Sequence, residues 1–266
     1  MKVKVAALQM CSVLDFEKNL KKIRQLFVEA KILGATHIFL PESFYSLSDG
    51  LTATPYLVEE SKGEHFENIK KLATASGLYV LAGSAATKIG DKIYNRSYNF
   101  APDGTDLGIY DKRNLFSCEL EKNGQVQKID EGVIYSRGSQ AKMITAGELK
   151  IGLSICFDLR FPALYQEYAL NGCNVLSISS AFTIPTGRAH WHTLVRARAI
   201  ENQCFVVASA QWGMHNDRVS TYGHSLIVSP WGDILGDAKE NERVIVADLD
   251  LEEIPRIRKS VKVFDL

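Results

Sequence analysis

Residues 151–162, IGLSICFDLRFP, form a short apolar run that ends in a cysteine and then turns sharply polar. Such a run, followed by charge of both signs and by Phe161-Pro162, is typical of a buried strand that turns into a helix. Cys156 would lie at the carboxyl end of the strand and near the positive end of a helix dipole, so we expect a lowered thiol pKa. The segment predicts an α/β arrangement with a nucleophilic cysteine at a strand end.

The alternation of strands and helices continues on both sides of this segment. Apolar periodicity and turn residues predict strands over residues 3–10, 36–42, 78–85, 173–179, 204–210 and 243–250, helices over 19–35, 65–77, 162–170, 190–202 and 251–261, and hairpins over 92–112, 142–156 and 224–235. Neither a linker nor a short repeat interrupts this order. The pattern therefore predicts one α/β domain over residues 1–266, with two packed sheets covered by helices.

Composition limits the class of partner. A chain of 266 residues with 46% hydrophobic content can bury a large core, and its 31 basic and 31 acidic residues balance. A balanced chain has no net field that would attract nucleic acid or an anionic membrane. The five cysteines are odd in number and scattered, which argues against a disulfide framework and a zinc site. We expect a small molecule or another protein as partner.

The first residues, MKVKVAALQM, lack the long apolar segment of a signal peptide. The sequence also contains no apolar stretch near the roughly 18 residues that a membrane span requires. We therefore expect a cytoplasmic protein with no membrane partner.

Three ionisable side chains follow predicted strands, where ligands collect in open α/β sheets. Glu42 follows HIFLP, Lys112 follows GIYD and Cys156 follows KIGLSI. Glu42 could be a surface carboxylate, but burial at the strand end would raise its pKa and suit it to general base work. Lys112 could be a solvated lysine, and most buried cysteines are structural. The strand-end positions favour a shared catalytic site.

Histidine offers an alternative, because Cys-His pairs serve many thiol hydrolases. His190 and His192 in AHWH are two residues apart, which places them on different faces of a helix and disfavours a shared metal ion. We expect His190 to pack near the pocket mouth or to cap the helix. The neighbouring Arg196, Arg198 and Glu201 are most simply a solvated or ion-paired face.

Six segments resemble the carbon–nitrogen hydrolase (nitrilase) superfamily, in particular its Nit branch of small amidases: LPESF (40–44), YDKRNLF (110–116), GLSICFDLRFP (152–162), SAFTIPTGRAHW (180–191), RARAIENQ (196–203) and YGHSLIVSPWG (222–232). The resemblance spans nearly the whole chain in the expected order. It implies a four-layer α-β-β-α sandwich whose protomers pair as a homodimer.

The resemblance also implies a Glu-Lys-Cys catalytic set, formed here by Glu42, Lys112 and Cys156. A second glutamate often accompanies the set, and DEGVIYSRG makes Glu131 the candidate. In the implied mechanism Cys156 attacks the amide carbonyl, and the oxyanion is stabilised by the lysine and by a backbone amide, for which Phe157 is the candidate. Neither a metal nor an organic cofactor is implied.

Residues 186–213 contain TGxAHW, RARAIE and VVAxAQxG, which resemble the deaminated glutathione amidases of this branch. The omega-amidases, which hydrolyse 2-oxoglutaramate, share much of this frame. Both substrates carry a carboxylate, so an arginine is expected near the nucleophile, and Arg160 and Arg188 are the candidates. Arg160 could equally form an ion pair that holds the turn. The chain could also be a catalytically silent binding or scaffold protein of the same fold.

Overall fold

The computed structural model describes residues 1–122 and 125–264. The described strands are β1 (Lys2–Gln9), β2 (His37–Phe39), β3 (Val58–Glu59), β4 (Tyr79–Leu81), β5 (Ser84–Ile89), β6 (Lys92–Ser97), β7 (Tyr110–Asp111), β8 (Ser117–Lys122), β9 (Gln125–Asp130), β10 (Met143–Ala146), β11 (Leu149–Ile155), β12 (Val175–Ser180), β13 (Phe205–Ala210), β14 (Trp212–Met214), β15 (Ser220–Tyr222), β16 (Leu226–Val228), β17 (Ile234–Asp237) and β18 (Arg243–Asp250). The described helices are α1 (Phe16–Ile32), α2 (Gly63–Ser76), α3 (Pro162–Leu170), α4 (Ile184–Asn202) and α5 (Glu253–Ser260).

The first sheet has the strand order β18-β1-β2-β4. Strand β1 runs parallel to β2 and antiparallel to β18, so the two ends of the chain meet in this sheet. Helix α1 begins after Asp15, whose side chain accepts hydrogen bonds from the first-turn amides. Its apolar face, with Leu20, Ile23 and Phe27, packs in one buried cluster with the sheet residue Leu8. Helix α2 contributes to the same cluster, and the two helices form one outer layer.

The second sheet has the order β10-β11-β12-β13-β16-β17, with β11, β12 and β13 parallel. Helices α3 and α4 cover its outer face with Tyr168 and Trp191. Gly152 in β11 permits a close approach there, because a β-carbon would lie 2.4 Å from Cδ2 of Tyr168. These helices form the second outer layer.

The inner faces of the two sheets pack against each other. Val5 and Phe39 of the first sheet belong to the same buried cluster as Ile155 and Val207 of the second. The Ser209 hydroxyl also donates to the Phe39 carbonyl, at 2.8 Å. The resulting order of layers is α-β-β-α, which confirms the predicted fold class.

Several local predictions are corrected by the structure. The helix predicted over residues 190–202 begins at Ile184, since Pro185 fits the first turn of a helix. The strand predicted over 78–85 is divided into β4 and β5, because Ala82 has a φ of 66°. For Arg198 and Glu201 the ion-paired alternative is confirmed and the solvated one is wrong: Arg198 is buried, and its guanidinium pairs with Glu201 at 2.6 Å and donates to the Leu159 carbonyl at 2.7 and 3.1 Å. The sequence patterns also did not predict strands β8 and β9.

None of the helices in the described part of the chain is both long enough and apolar enough to cross a membrane.

Candidate active site

The four predicted catalytic side chains meet in one place. Cys156 directly follows β11, Lys112 directly follows β7, Glu131 directly follows β9, and Glu42 lies beyond the end of β2. The sequence separations are large, 70 residues between Glu42 and Lys112 and 19 between Lys112 and Glu131. Sheet packing therefore brings together residues that the sequence separates.

The Lys112 ammonium is the centre of this cluster. Its Nζ donates to Oε1 of Glu42 at 2.8 Å and lies 2.8 and 2.9 Å from the two carboxylate oxygens of Glu131. Glu131 is held in turn by the Phe116 amide, which donates to Oε2 at 2.7 Å. Burial disfavours the charged form of Lys112, which is only 1% exposed, but the carboxylates of Glu131 and Glu42 outweigh it and raise its pKa well above the ordinary value. Lys112 is therefore a fixed cation.

Glu42 is held by several donors and is 3% exposed. Asn95 Nδ2 donates to Oε1 at 2.9 Å, the oxygen that Lys112 also reaches, and Gln211 donates to the Glu42 backbone carbonyl at 2.9 Å. Burial raises the pKa of Glu42, Lys112 opposes this, and Glu131 adds to it. A carboxylate with a raised pKa can both accept and return a proton near neutral pH. Neither Lys112 nor Asn95 donates to the second carboxylate oxygen, Oε2, so Oε2 is the atom that can accept and return the proton.

Cys156 lies in the first turn of a 3-10 helix (Cys156–Arg160) with a φ of 49°, in the left-handed region. The predicted lowering of its pKa is wrong: burial and Glu42 raise the pKa well above the ordinary value, while Lys112 and the Ala181 amide act in the opposite direction more weakly. The physical reason is that the side chain is 8% exposed and α3 begins only at Pro162. Cys156 therefore keeps its proton in the free protein and needs a base.

A buried carboxylate that the sequence analysis did not single out holds the cysteine turn in place. Asp158 is fully buried, and Oδ2 accepts from the Tyr110 hydroxyl at 2.7 Å and the Ile155 amide at 3.0 Å. Oδ1 accepts from the amide and the side chain of Asn114 at 2.9 and 2.8 Å. Asp158 thus joins the turn that carries Cys156 to the loop that follows Lys112.

We also expect Phe157, Arg160, Arg188 and His190 to contact the substrate, and the structure brings three of them together, Arg160, His190 and Phe157. Nη2 of Arg160 lies 3.2 Å from Nδ1 of His190, and its guanidinium lies 5.8 Å from the ring of Phe157 and 5.5 Å from that of Phe182. Among the described side chains, which leave out those of residues 120–128, no carboxylate pairs with Arg160, so the ion-pair alternative for this residue finds no partner there. A guanidinium without an anion is available to a carboxylate ligand.

The other two basic residues of this region lie elsewhere. Arg188 is exposed in the first half of α4, and its charge acts on Tyr222. His192 is 3.4 Å from Asp237 and does not join His190, as the two-residue spacing predicts.

Three further groups at the site were missed, namely the Asn95 side chain, the Ala181 amide and Tyr135, whose hydroxyl interacts electrostatically with Glu131, Glu42 and Lys112. They belong to separate segments and carry no local signal. Asp158, two residues after Cys156, could have been found as a charged residue next to a buried strand.

Comparisons with known proteins identify the family of this chain. The family model described as Carbon-nitrogen hydrolase matches residues 4–259. The chain is 37% identical to the deaminated glutathione amidase of Bos taurus, over 98% of this chain and 80% of that protein. It is 35% identical to the omega-amidase NIT2 of Xenopus tropicalis, over 92% of this chain and 88% of that protein.

A solved structure, that of the C. elegans NitFhit protein, superposes with a TM-score of 0.87 at 32% identity. The alignment covers 99% of this chain, which spans 64% of the length of that protein. The family match, the identities and the shared fold cover nearly the whole chain. The chain therefore belongs to the carbon–nitrogen hydrolase (nitrilase) superfamily, within its Nit branch of amidases.

Proposed function

We propose that this amidase hydrolyses a small, carboxylate-bearing linear amide through a Cys156 thioester. The observation that carries the proposal is the buried Lys112 ammonium, which lies 2.8 Å from Glu42 and 2.8 Å from Glu131 in the cluster that contains the Cys156 thiol. This arrangement supplies a nucleophile, a base and a fixed cation in a site shielded from water. An amide needs help at both its carbonyl and its leaving nitrogen, and the set provides both.

In the first half of the reaction, Glu42 takes the thiol proton as Cys156 Sγ bonds to the carbonyl carbon. The negative charge that forms on the carbonyl oxygen is stabilised by Lys112 and by a backbone amide of the cysteine turn, for which Phe157 is the candidate. Glu42 then gives the proton to the amide nitrogen, the C–N bond breaks, and the amine leaves an acyl thioester. Losing one such oxyanion donor typically costs about 100- to 1000-fold in rate.

In the second half, Glu42 takes a proton from water, and the resulting hydroxide attacks the thioester carbon. The C–S bond breaks, the thiolate regains the proton and the acid product leaves. Glu131 does not exchange a proton in this scheme: it holds Lys112 in position together with Glu42. The atoms and charges balance without a cofactor.

We further propose deaminated glutathione as the substrate. The 37% identity to a deaminated glutathione amidase supports it, and so does the position of Arg160, which lies against His190 and Phe157 and offers a guanidinium to a carboxylate ligand. 2-Oxoglutaramate is the second candidate, because an omega-amidase is 35% identical to this chain. In both compounds the amide lies at the opposite end of the acyl chain from the 2-oxo acid, and they differ in the leaving group.

The test is to incubate each compound with the protein and to measure 2-oxoglutarate, which both reactions release. Cys156→Ala and Glu42→Gln proteins serve as blanks, and Cys11→Ser is the matched control, since Cys11 is a partly exposed thiol whose Sγ contacts the Met214 carbonyl and His215 and not the catalytic side chains. We expect turnover in the wild-type and Cys11→Ser proteins and none in the Cys156→Ala protein.

The ratio of kcat/KM values for the two compounds assigns the substrate. A preference for 2-oxoglutaramate would contradict the first substrate proposal and favour the second. No turnover of either compound, with a Cys156 thiol that resists iodoacetamide, would favour a catalytically silent scaffold.

Arg160→Gln should raise KM for both compounds and leave kcat within about threefold, because lost uniform binding does not change kcat.

The homodimer and the cytoplasmic location stay predictions. Light scattering on the purified protein measures the first, and fractionation of the source cells the second.

A further inference from the structure

Two histidines and one aspartate converge on the far side of α4 from His190. His192 lies on α4, His224 lies between β15 and β16, and Asp237 is the last residue of β17. Nδ1 of His224 lies 3.0 and 3.3 Å from the two carboxylate oxygens of Asp237, and Nε2 of His192 lies 3.4 Å from Oδ2. We call these three residues the His–Asp–His cluster.

The spacing of the cluster matches the edges of a tetrahedral metal site. One nitrogen from each histidine and one carboxylate oxygen all lie within 4.8 Å of one another. Zinc binds such atoms at about 2.0–2.2 Å, so neighbouring ligands of a tetrahedral ion are about 3.3 Å apart. The two histidine–aspartate separations already have this length, and only the histidine–histidine separation has to shorten.

We propose that the His–Asp–His cluster binds one divalent transition-metal ion of the zinc class, held by His192, His224 and Asp237. Imidazole nitrogens with a carboxylate are a ligand set that suits zinc, and three protein ligands leave a fourth position for water. The site lies outside the catalytic cluster, and its function would be to fasten α4 to the β16–β17 edge of the second sheet.

Neighbouring residues hold the ligands in place, as the outer shell of a metal site does. The Trp191 indole donates to the His224 carbonyl at 2.6 Å, and the Tyr222 ring stacks on the His224 ring at 4.5 Å. Asp237 is ionised over the whole physiological range: burial acts to raise its pKa, but hydrogen bonds from Lys239 and His192 outweigh this and lower it to about 2. The carboxylate is thus ready to bind a cation.

Lys239 is the competing cation. Its Nζ donates to Oδ2 of Asp237 at 2.7 Å, yet its side chain is 67% exposed. Such a flexible ammonium can move into solvent without uncovering buried surface.

The experiment uses the full chain after treatment with EDTA and removal of the chelator. Zinc binding is followed by titration calorimetry, and cobalt binding by its visible absorption, in the wild-type, His192→Ala and His224→Ala proteins. Two matched controls are His190→Ala, which removes a histidine from the same helix, and Cys156→Ala, which removes the catalytic thiol. Thermal unfolding with and without zinc is measured for each protein.

We expect the wild-type protein to bind one zinc ion and to unfold at a higher temperature with zinc. His192→Ala and His224→Ala should weaken binding by more than the roughly 10- to 100-fold that losing an outer-shell partner costs, and zinc should not raise the unfolding temperature of either variant above its value in EDTA. The two control proteins should bind as the wild-type does. Binding that disappears in Cys156→Ala, or persists in both cluster variants, would overturn the proposal. A wild-type protein that binds no zinc would do the same, and would leave the cluster as a hydrogen-bonded network alone.

Discussion

Replacing Asp158 by asparagine changes one atom of the carboxylate that holds the cysteine turn. The asparagine oxygen can still accept both donors of Asn114, which lie at 2.8 and 2.9 Å. The NH₂ group then faces the Tyr110 hydroxyl and the Ile155 amide. The Tyr110 hydroxyl can rotate and accept a hydrogen bond from this NH₂ group, but the Ile155 N–H can only donate. The Ile155 N–H, immediately before Cys156, therefore loses its partner.

An unpaired buried donor costs about 1–3 kcal/mol. Burial raises the pKa of Asp158, so loss of the charge offsets part of this cost. We therefore expect a loss of about 1–2 kcal/mol in the free energy of unfolding, from the lower part of that range. Each kcal/mol lowers the unfolding temperature by about 2–4 °C in a domain of 150–250 residues, which gives a fall of about 2–8 °C.

Activity should fall further than stability. Cys156 has a φ of 49°, a conformation that a non-glycine residue keeps only when its surroundings impose it. A displaced reacting atom costs about 100-fold per ångström, so we expect kcat to fall about 10- to 100-fold.

The assay combines kcat for 2-oxoglutarate release with thermal unfolding of the same protein preparation. Tyr110→Phe is the control, because it removes one donor and leaves the Ile155 amide paired with Asp158. It should cost about 1 kcal/mol or less and leave the rate of Cys156 alkylation unchanged. An Asp158→Asn protein with the wild-type kcat and unfolding temperature would refute the positioning role, and so would equal losses in both variants.

Three further predictions concern the base and the packing of the second sheet. Glu42 must be ionised to act as the base, and burial raises its pKa above the ordinary 4.5. We therefore expect kcat/KM to fall as the pH drops through a value above 4.5. A pH–rate profile whose acid limb lies at or below 4.5 would contradict this. Gly152→Ala should destabilise the protein by about 1–3 kcal/mol through overpacking, since the added carbon would lie 2.4 Å from Tyr168, and urea unfolding measures the loss. Arg198→Lys should lower the free energy of unfolding by about 1–3 kcal/mol in the same assay, because one ammonium cannot replace both guanidinium bonds to the Leu159 carbonyl. An unchanged urea midpoint would show that these bonds are dispensable.

Much of the fold could be predicted from local sequence patterns. The strand and helix periods, the turn residues and the proline at the start of α3 depend on neighbours a few residues apart, so the helix predicted over 162–170 coincides with α3. Predictions failed at boundaries that single residues decide. Pro185 in the first turn places the start of α4 at Ile184, and the left-handed conformation of Ala82 separates β4 from β5.

The sequence by itself determined the family, the order of layers and four residues of the candidate active site, Glu42, Lys112, Glu131 and Cys156, because these depend on motifs that resemble the family. Only the tertiary structure decided how these groups act on one another. The thiol pKa is raised instead of lowered, Asp158 is a buried tether, and His192, His224 and Asp237 converge. The reason is that electrostatic energy depends on distance and on burial. Both are set by the packing of strands that lie far apart in the sequence.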